Sequence, residues 1–202
     1  DATYLQMKML NTAKGPGVQC LRAQSDKLEY VEYMKNKVKE HTNIDVLETM
    51  AVDLIVEDGI CKGVIDENGN KIEGSSVILT TGTYLNGKIL RGSEFSLEGP
   101  DGQRAAIGLT EALEKLGIET MRLKTGTPPR LKRDTIDFTD MQIERGTNKE
   151  LSFSFDTDKY VEFDKQACCY LIHTAPETHK IIEENLSKSA MYGGHVEGVG
   201  PR

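Results

Sequence analysis

Three short apolar segments, Val52–Glu57, Ile60–Asp66 and Lys71–Glu73, are separated by Asp58-Gly59 and Asn68-Gly69. An Asx-Gly pair between such runs accepts the positive φ that a tight hairpin demands, and is the strongest short-range hairpin signal. Together with Val46–Thr49, these segments specify an antiparallel β-meander, and the rest of the chain must fold around it. Val77-Ile78-Leu79 then follows as an apolar run without alternation and ends in Thr80-Thr81-Gly82-Thr83. Such a run suits an interior parallel strand covered on both faces, with Gly82 where the strand stops.

On the amino-terminal side, Val18, Leu21, Leu28, Val31, Met34 and Val38 recur at helical steps after Gly15-Pro16-Gly17. They predict one long amphipathic helix ending near His41. After the glycine-rich connection Asn86–Gly102, the residues Ala106, Leu109, Leu113 and Leu116 line one face of a second helix, closed by Gly117 at its C′ position. Glu119–Leu123 reads as a further strand. In Thr125-Gly126-Thr127-Pro128-Pro129-Arg130 two prolines exclude both a helix interior and a central strand, so a domain boundary is expected after Lys124, giving regions 1–124 and 125–202. The second region starts with irregular β structure over Thr135–Lys165 and a strand at Cys169–His173. Thr174 and Glu177 then form a capping box that opens a helix through Lys188, and Met191–Arg202 reads as a glycine-rich flexible end. The chain opens on Asp1 rather than Met, as an internal segment would.

The 202 residues are 38% hydrophobic and 28% charged, enough apolar material for one core or two small ones. No apolar run reaches the roughly 18–20 residues of a membrane helix, and Asp1–Lys14 lacks the order of a signal peptide, so no membrane association and a cytoplasmic location are expected. A net charge of −7 argues against nonspecific binding of nucleic acid by the whole surface. Cys20, Cys61, Cys168 and Cys169 have neither CxxC spacing nor the density of a secreted scaffold, which points to reduced thiols. His41, His173, His179 and His195 match no zinc spacing and have no evident nucleophile partner, so no metal site and no catalytic residue is assigned. Tyr30, Tyr33, Tyr160 and Phe153 read as packing residues.

Two constellations point to ligands. In doubly wound folds, nucleotides lie beyond the carboxyl ends of the strands, which singles out Thr81, Gly82 and Thr83; a glycine needed only for a turn is the alternative. The phosphate-cradling GxGxxG is absent, so this chain by itself is expected to hold a dinucleotide weakly or not at all. Arg122, Lys124, Arg130, Lys132 and Arg133 form a basic run with no acid among them, either a phosphate footprint or a solvated charged face. At the end, Gly200, Pro201 and Arg202 offer close backbone approach and a bidentate cation, with a frayed terminus as the alternative.

The strings Leu10-Asn11-Thr12-Ala13-Lys14-Gly15-Pro16, Arg22-Ala23-Gln24, Asp26-Lys27, Val77–Gly87, Arg122-Leu123-Lys124-Thr125-Gly126-Thr127-Pro128-Pro129-Arg130, Thr135-Ile136-Asp137-Phe138, Thr178-His179, Met191-Tyr192 and Gly198-Val199-Gly200-Pro201-Arg202 occur in the order found in the MnmG (GidA) family, which the chain resembles over nearly its whole length. The resemblance implies an α/β fold. Region 1–124 would be the central part of a glutathione-reductase-like, Rossmann-type FAD-binding domain with an antiparallel β-meander, and region 125–202 part of an inserted α+β, NAD-associated domain. It further implies FAD reduced by NADH, a folate one-carbon donor, a homodimer, and action with the GTPase MnmE to place an aminomethyl-type group on C5 of the tRNA wobble uridine. Val52 matches the meander valine whose backbone meets the adenine side of FAD, and Gly200, Pro201 and Arg202 match the start of the NAD-associated segment. The basic run would contact tRNA. The chain departs from the family at Ala106, where members often carry serine at an expected flavin contact. A folate- and FAD-dependent tRNA uridine methyltransferase of the TrmFO type, and a non-catalytic nucleotide- or RNA-binding module, are the alternatives; the Asn11–Pro16 and Lys124–Arg130 strings are not expected in the former.

Overall fold

A computed structural model describes residues 1–194 and 198–200. In chain order these form β1 (Tyr4–Leu10), β2 (Cys20–Ser25), α1 (Lys27–Glu40), β3 (Ala51–Glu57), β4 (Ile60–Asp66), β5 (Lys71–Glu73), β6 (Ile89–Arg91), β7 (Glu94–Ser96), α2 (Leu109–Lys115), β8 (Gln142–Glu144), β9 (Cys169–Leu171) and α3 (Pro176–Asn185), with short 3-10 turns between them. The fold is mixed α/β and every ladder between strands is antiparallel. The chain divides into two compact units, Asp1–Val46 with Arg130–Thr174 and Leu47–Pro129 with Ala175–Arg202. It passes between them three times, once at Pro129-Arg130, five residues beyond the expected boundary.

In the first unit β1 pairs with β2 from Tyr4↔Ser25 to Leu10↔Cys20. The backbone on the other side of β1 is met by Thr147 N–H donating to Met7 O (2.7 Å) and Ala167 N–H donating to Leu5 O (2.8 Å). Two amide side chains lock this arrangement. Gln6 Nε2 donates to the carbonyls of Glu144 and Ala167, while Gln166 Oε1 accepts from Met7 N–H and its Nε2 donates to the carbonyls of Thr147 and Val161. Tyr4 and Met7 are buried beside them, and the Tyr4 hydroxyl accepts from Val161 N–H. Buried amides are affordable only when so fully satisfied.

In the second unit β3, β4 and β5 form the meander, and Glu57↔Ile60 closes on Asp58 and Gly59, both at positive φ, as a type I′ turn requires. The second hairpin is longer than its Asn-Gly signal suggests. The buried Asp66 carboxylate accepts from the backbone N–H of Asn68 and Asn70, from the Asn70 side chain and from the Thr49 hydroxyl. α2 buries Leu109 and Ala112 and ends in a Schellman motif, with Gly117 N–H donating to Glu114 O and Ile118 N–H to Leu113 O.

Five expectations are corrected. The long helix splits, because Cys20–Ser25 alternates in exposure and pairs as β2, and the Asp26 carboxylate accepts from Leu28 and Glu29 N–H to cap α1. Its end at His41 stands. Val77–Leu79 is not an interior strand: among the described residues no strand pairs with it, and Ile78 is 85% exposed. Glu119–Leu123 forms only one parallel bridge, Leu123↔Val199, and Val46–Thr49 is not a strand. α3 begins at Pro176 with Ala175 as its N-cap; the Ala175 N–H donates to Thr178 Oγ1, and the alanine methyl offers no acceptor for the other half of a capping box.

Gly146 sits where the amides converge: a Cβ there would lie 2.1 Å from Gln166 Oε1 and 2.7 Å from Met7 O. Gly146→Ala is expected to cost about 1–3 kcal/mol through forced backbone displacement, read as a lower midpoint in denaturant unfolding. An unchanged midpoint contradicts this packing.

Candidate functional site

The second unit contains a cavity of about 280 Å³ lined by Met50, Val52, Glu67, Leu97, Arg104, Ala105 and Ile107. This is near the lower end of the roughly 300–1,000 Å³ of ligand pockets. β3 supplies Val52. Gly108, at φ +104°, brings the start of α2 so close that a Cβ on it would lie 2.6 Å from Val52 O. The rim is polar: Arg104 Nη2 donates to Glu67 Oε2 at 2.8 Å and Nη1 to Oε1 at 3.4 Å. Sequence reasoning missed both rim residues, which lie 37 positions apart and carry no local signal of pairing.

Ala106 is tied by its backbone. Its N–H donates to Tyr84 O (2.9 Å), and its carbonyl accepts from Asn86 N–H (2.8 Å), so its N–H is not free to donate to a ligand and it has no side-chain hydroxyl to offer. Thr81, Gly82 and Thr83 lead directly into this crossing: Tyr84 N–H donates to Thr81 O, and Gly82 takes φ +55°. The Tyr84 hydroxyl donates to Gln103 Oε1. The structure thus links Thr81–Thr83 to Ala106 through Tyr84, and Val52 to the same segment through Gly108.

Gly198–Gly200 is held against 122–124: Val199 N–H donates to Arg122 O (3.0 Å) and Lys124 N–H to Val199 O (2.9 Å). Pro201 and Arg202 lie outside the described residues, as does His195. Arg122 Nη1 donates to Asn86 O at 3.1 Å, and Lys124 Nζ to Met191 O at 3.2 Å. Two cations of the basic run therefore already serve backbone carbonyls in the second unit. Arg130, Lys132 and Arg133 belong to the first unit, all exposed. Among the described residues Arg130 and Lys132 form no ion pair, and the Arg133 guanidinium lies over the Phe138 ring at 4.9 Å.

Among the described residues no group of His, Cys, Asp and Glu has metal-holding geometry, and Cys20, Cys61, Cys168 and Cys169 are unbridged. Among the described residues no helix is long and apolar enough to cross a membrane.

Asp66 stands at the edge of this region, one residue before the rim carboxylate. Hydrogen bonds from Asn70, Asn68 and Thr49 to its charged form hold its pKa at about 2, below the ordinary 3.8. A depressed carboxylate contributes stability above its unfolded pKa and loses it as pH falls toward the folded one. The parent is therefore expected to lose thermal stability between about pH 4 and pH 2 more steeply than Asp66→Asn; parallel pH profiles contradict this.

The comparisons with known proteins agree along the whole chain. The family model described as "Glucose inhibited division protein A" matches residues 1–202. The curated "tRNA uridine 5-carboxymethylaminomethyl modification enzyme MnmG" of Ureaplasma urealyticum is 50% identical over 202 residues, all of this chain and 33% of the relative. Its namesake from Bacillus subtilis is 46% identical over the same span, 32% of that protein. Among solved structures, Aquifex aeolicus GidA in its form I crystal superposes with a TM-score of 0.84 at 38% identity, covering 100% of this chain and 34% of that one. The chain spans about a third of the length of the curated relatives it matches.

Proposed function

We propose a function from one premise: the chain belongs to the glucose inhibited division protein A (GidA) family. In this reading it is the central part of a FAD- and NADH-dependent tRNA-modifying enzyme. The full-length protein, acting as a cytoplasmic homodimer with the GTPase MnmE and a folate one-carbon donor, adds an aminomethyl-type group to C5 of the wobble uridine. The names of relatives at 46–50% identity over the whole chain support the substrate class. The single structural observation that supports a nucleotide cofactor is the cavity beside Val52.

The residues present fit one end of FAD. The cavity is too small for a whole dinucleotide, and apolar Met50, Val52, Leu97 and Ile107 suit a flat heterocycle, with Glu67 and Arg104 at its rim. Val52 would meet the adenine side with its backbone, and Thr81, Gly82 and Thr83 would line the approach without adding charge. Ala106 would offer a methyl group where a serine would offer a hydroxyl, and its N–H is already bonded to Tyr84 O. Gly200, Pro201 and Arg202 would begin the NAD-associated segment. FAD, when bound and reduced, supplies the electrons for the modification. The chain's own contribution would be to line one end of it with the apolar side chains of Met50, Val52, Leu97 and Ile107.

The cations supply the RNA side. Arg130 and Lys132 are exposed beside the Thr127-Pro128-Pro129 turn, a stiff mount from which phosphates are reached. Arg133 joins them; in the other unit, Arg122 and Lys124, each anchored to a backbone carbonyl, would make phosphate contacts of their own. Arg130→Glu with Lys132→Glu in the full-length protein is expected to weaken tRNA binding at least tenfold and to lower the slope of log affinity against log salt by about 2. Filter binding at two salt concentrations measures both, and unchanged affinity and slope rule the contact out.

A further inference from the structure

We infer that Arg133, Phe138 and Tyr170 form a stacking shelf for an unpaired base of RNA, an inference that rests on the tRNA reading above. Within the first unit Phe138 and Tyr170 are half-buried and Arg133 is exposed. The Phe138 and Tyr170 ring centroids are 4.5 Å apart at an interplanar angle of 48°, and the Arg133 guanidinium lies 4.9 Å from the Phe138 centroid. Each layer has its own support. Tyr170 sits in β9 opposite Ile143 of β8, and the Cys168 thiol donates to its hydroxyl at 3.8 Å. Phe138 accepts from Met141 N–H through its carbonyl, and Arg133 accepts from Ile136 N–H in the 3-10 turn Arg133–Thr135.

This construction places a guanidinium over an aromatic ring, 4.9 Å from its centroid. A planar cation held in this way loses little freedom on binding, stacks on a base through its outer face, and keeps N–H edges for phosphate. The nearest acids do not neutralise it: Asp137 accepts from the Thr139 N–H and hydroxyl, and no carboxylate forms an ion pair with Arg133 among the described residues. Asp134 is its chain neighbour in the same turn. Arg130 and Lys132 lie two turns of backbone or less away in the sequence and are exposed, so the shelf stands beside the charges that would hold the strand. A shape of this kind favours a single-stranded loop over a duplex, whose bases present no free face.

The test separates the plane from the charge. In the full-length protein, Arg133→Lys keeps the positive charge and removes the planar surface, while Phe138→Leu removes the support. Affinity for a tRNA transcript is measured by fluorescence anisotropy at about 50 and 200 mM salt, with thermal melting of each variant as the folding control. Arg133→Lys is expected to weaken binding by about fivefold or more with the salt slope unchanged, whereas Arg133→Gln also lowers the slope by about 1. If Arg133→Lys binds like the parent while Arg130→Glu with Lys132→Glu binds weakly, the shelf is overturned and the tRNA reading survives. If Phe138→Leu melts like the parent and retains full affinity, the shelf is likewise overturned.

Discussion

The organisation of the second unit depends on one contact that only glycine permits. Gly108 takes φ +104° and presses against the carbonyl of Val52, leaving 2.6 Å where any other residue would need to place a Cβ. That approach sets α2 against β3, and the burial of Leu109 and Ala112 follows from it. It also fixes the three residues just before it, so that Ala106 is bonded to Tyr84 and Asn86 while Ala105 and Ile107 line the cavity. The cavity wall is thus a consequence of backbone geometry more than of side-chain volume.

The first unit solves a different problem. Its interior is organised by amides, with Gln6 and Gln166 each making several hydrogen bonds to backbone groups around β1. Such a centre specifies register sharply, because one misplaced strand leaves buried donors without partners. It also explains why so short a β1–β2 pair is held in place by chain segments more than 130 residues later, at Glu144, Gln166 and Ala167.

Local chemistry made the meander legible: Asp58-Gly59 dictates its turn, and Gly117 dictates the end of α2. Non-local chemistry was not. Leu21 and Leu28 are seven residues apart, a spacing that fits a helix, yet Leu21 belongs to a strand whose partner ends ten positions earlier. Asp26 was the signal that divides them. Val77–Leu79 has the apolar run of a covered strand, but a strand exists only with hydrogen-bond partners, and none of the described residues supplies them. At the candidate site, Val52, Thr81–Thr83 and Ala106 were singled out separately in the sequence, while the crossing that joins Thr81–Thr83 to Ala106 through Tyr84 was not legible there. The Glu67–Arg104 pair and the layering of Arg133 on Phe138 arise only when distant segments meet. The basic run reads as one feature in the sequence, yet its members fall in two units and have different partners.

The central claim is that the Gly108–Val52 approach builds one wall of the site proposed for the adenine end of FAD. Its most direct measurement is the flavin content, by visible absorbance, of the purified full-length protein carrying Gly108→Val, beside a folded control altered only in the other unit. The account predicts that the Gly108 variant loses most of its bound flavin while the control keeps it. Stoichiometric flavin in the Gly108→Val protein would contradict it.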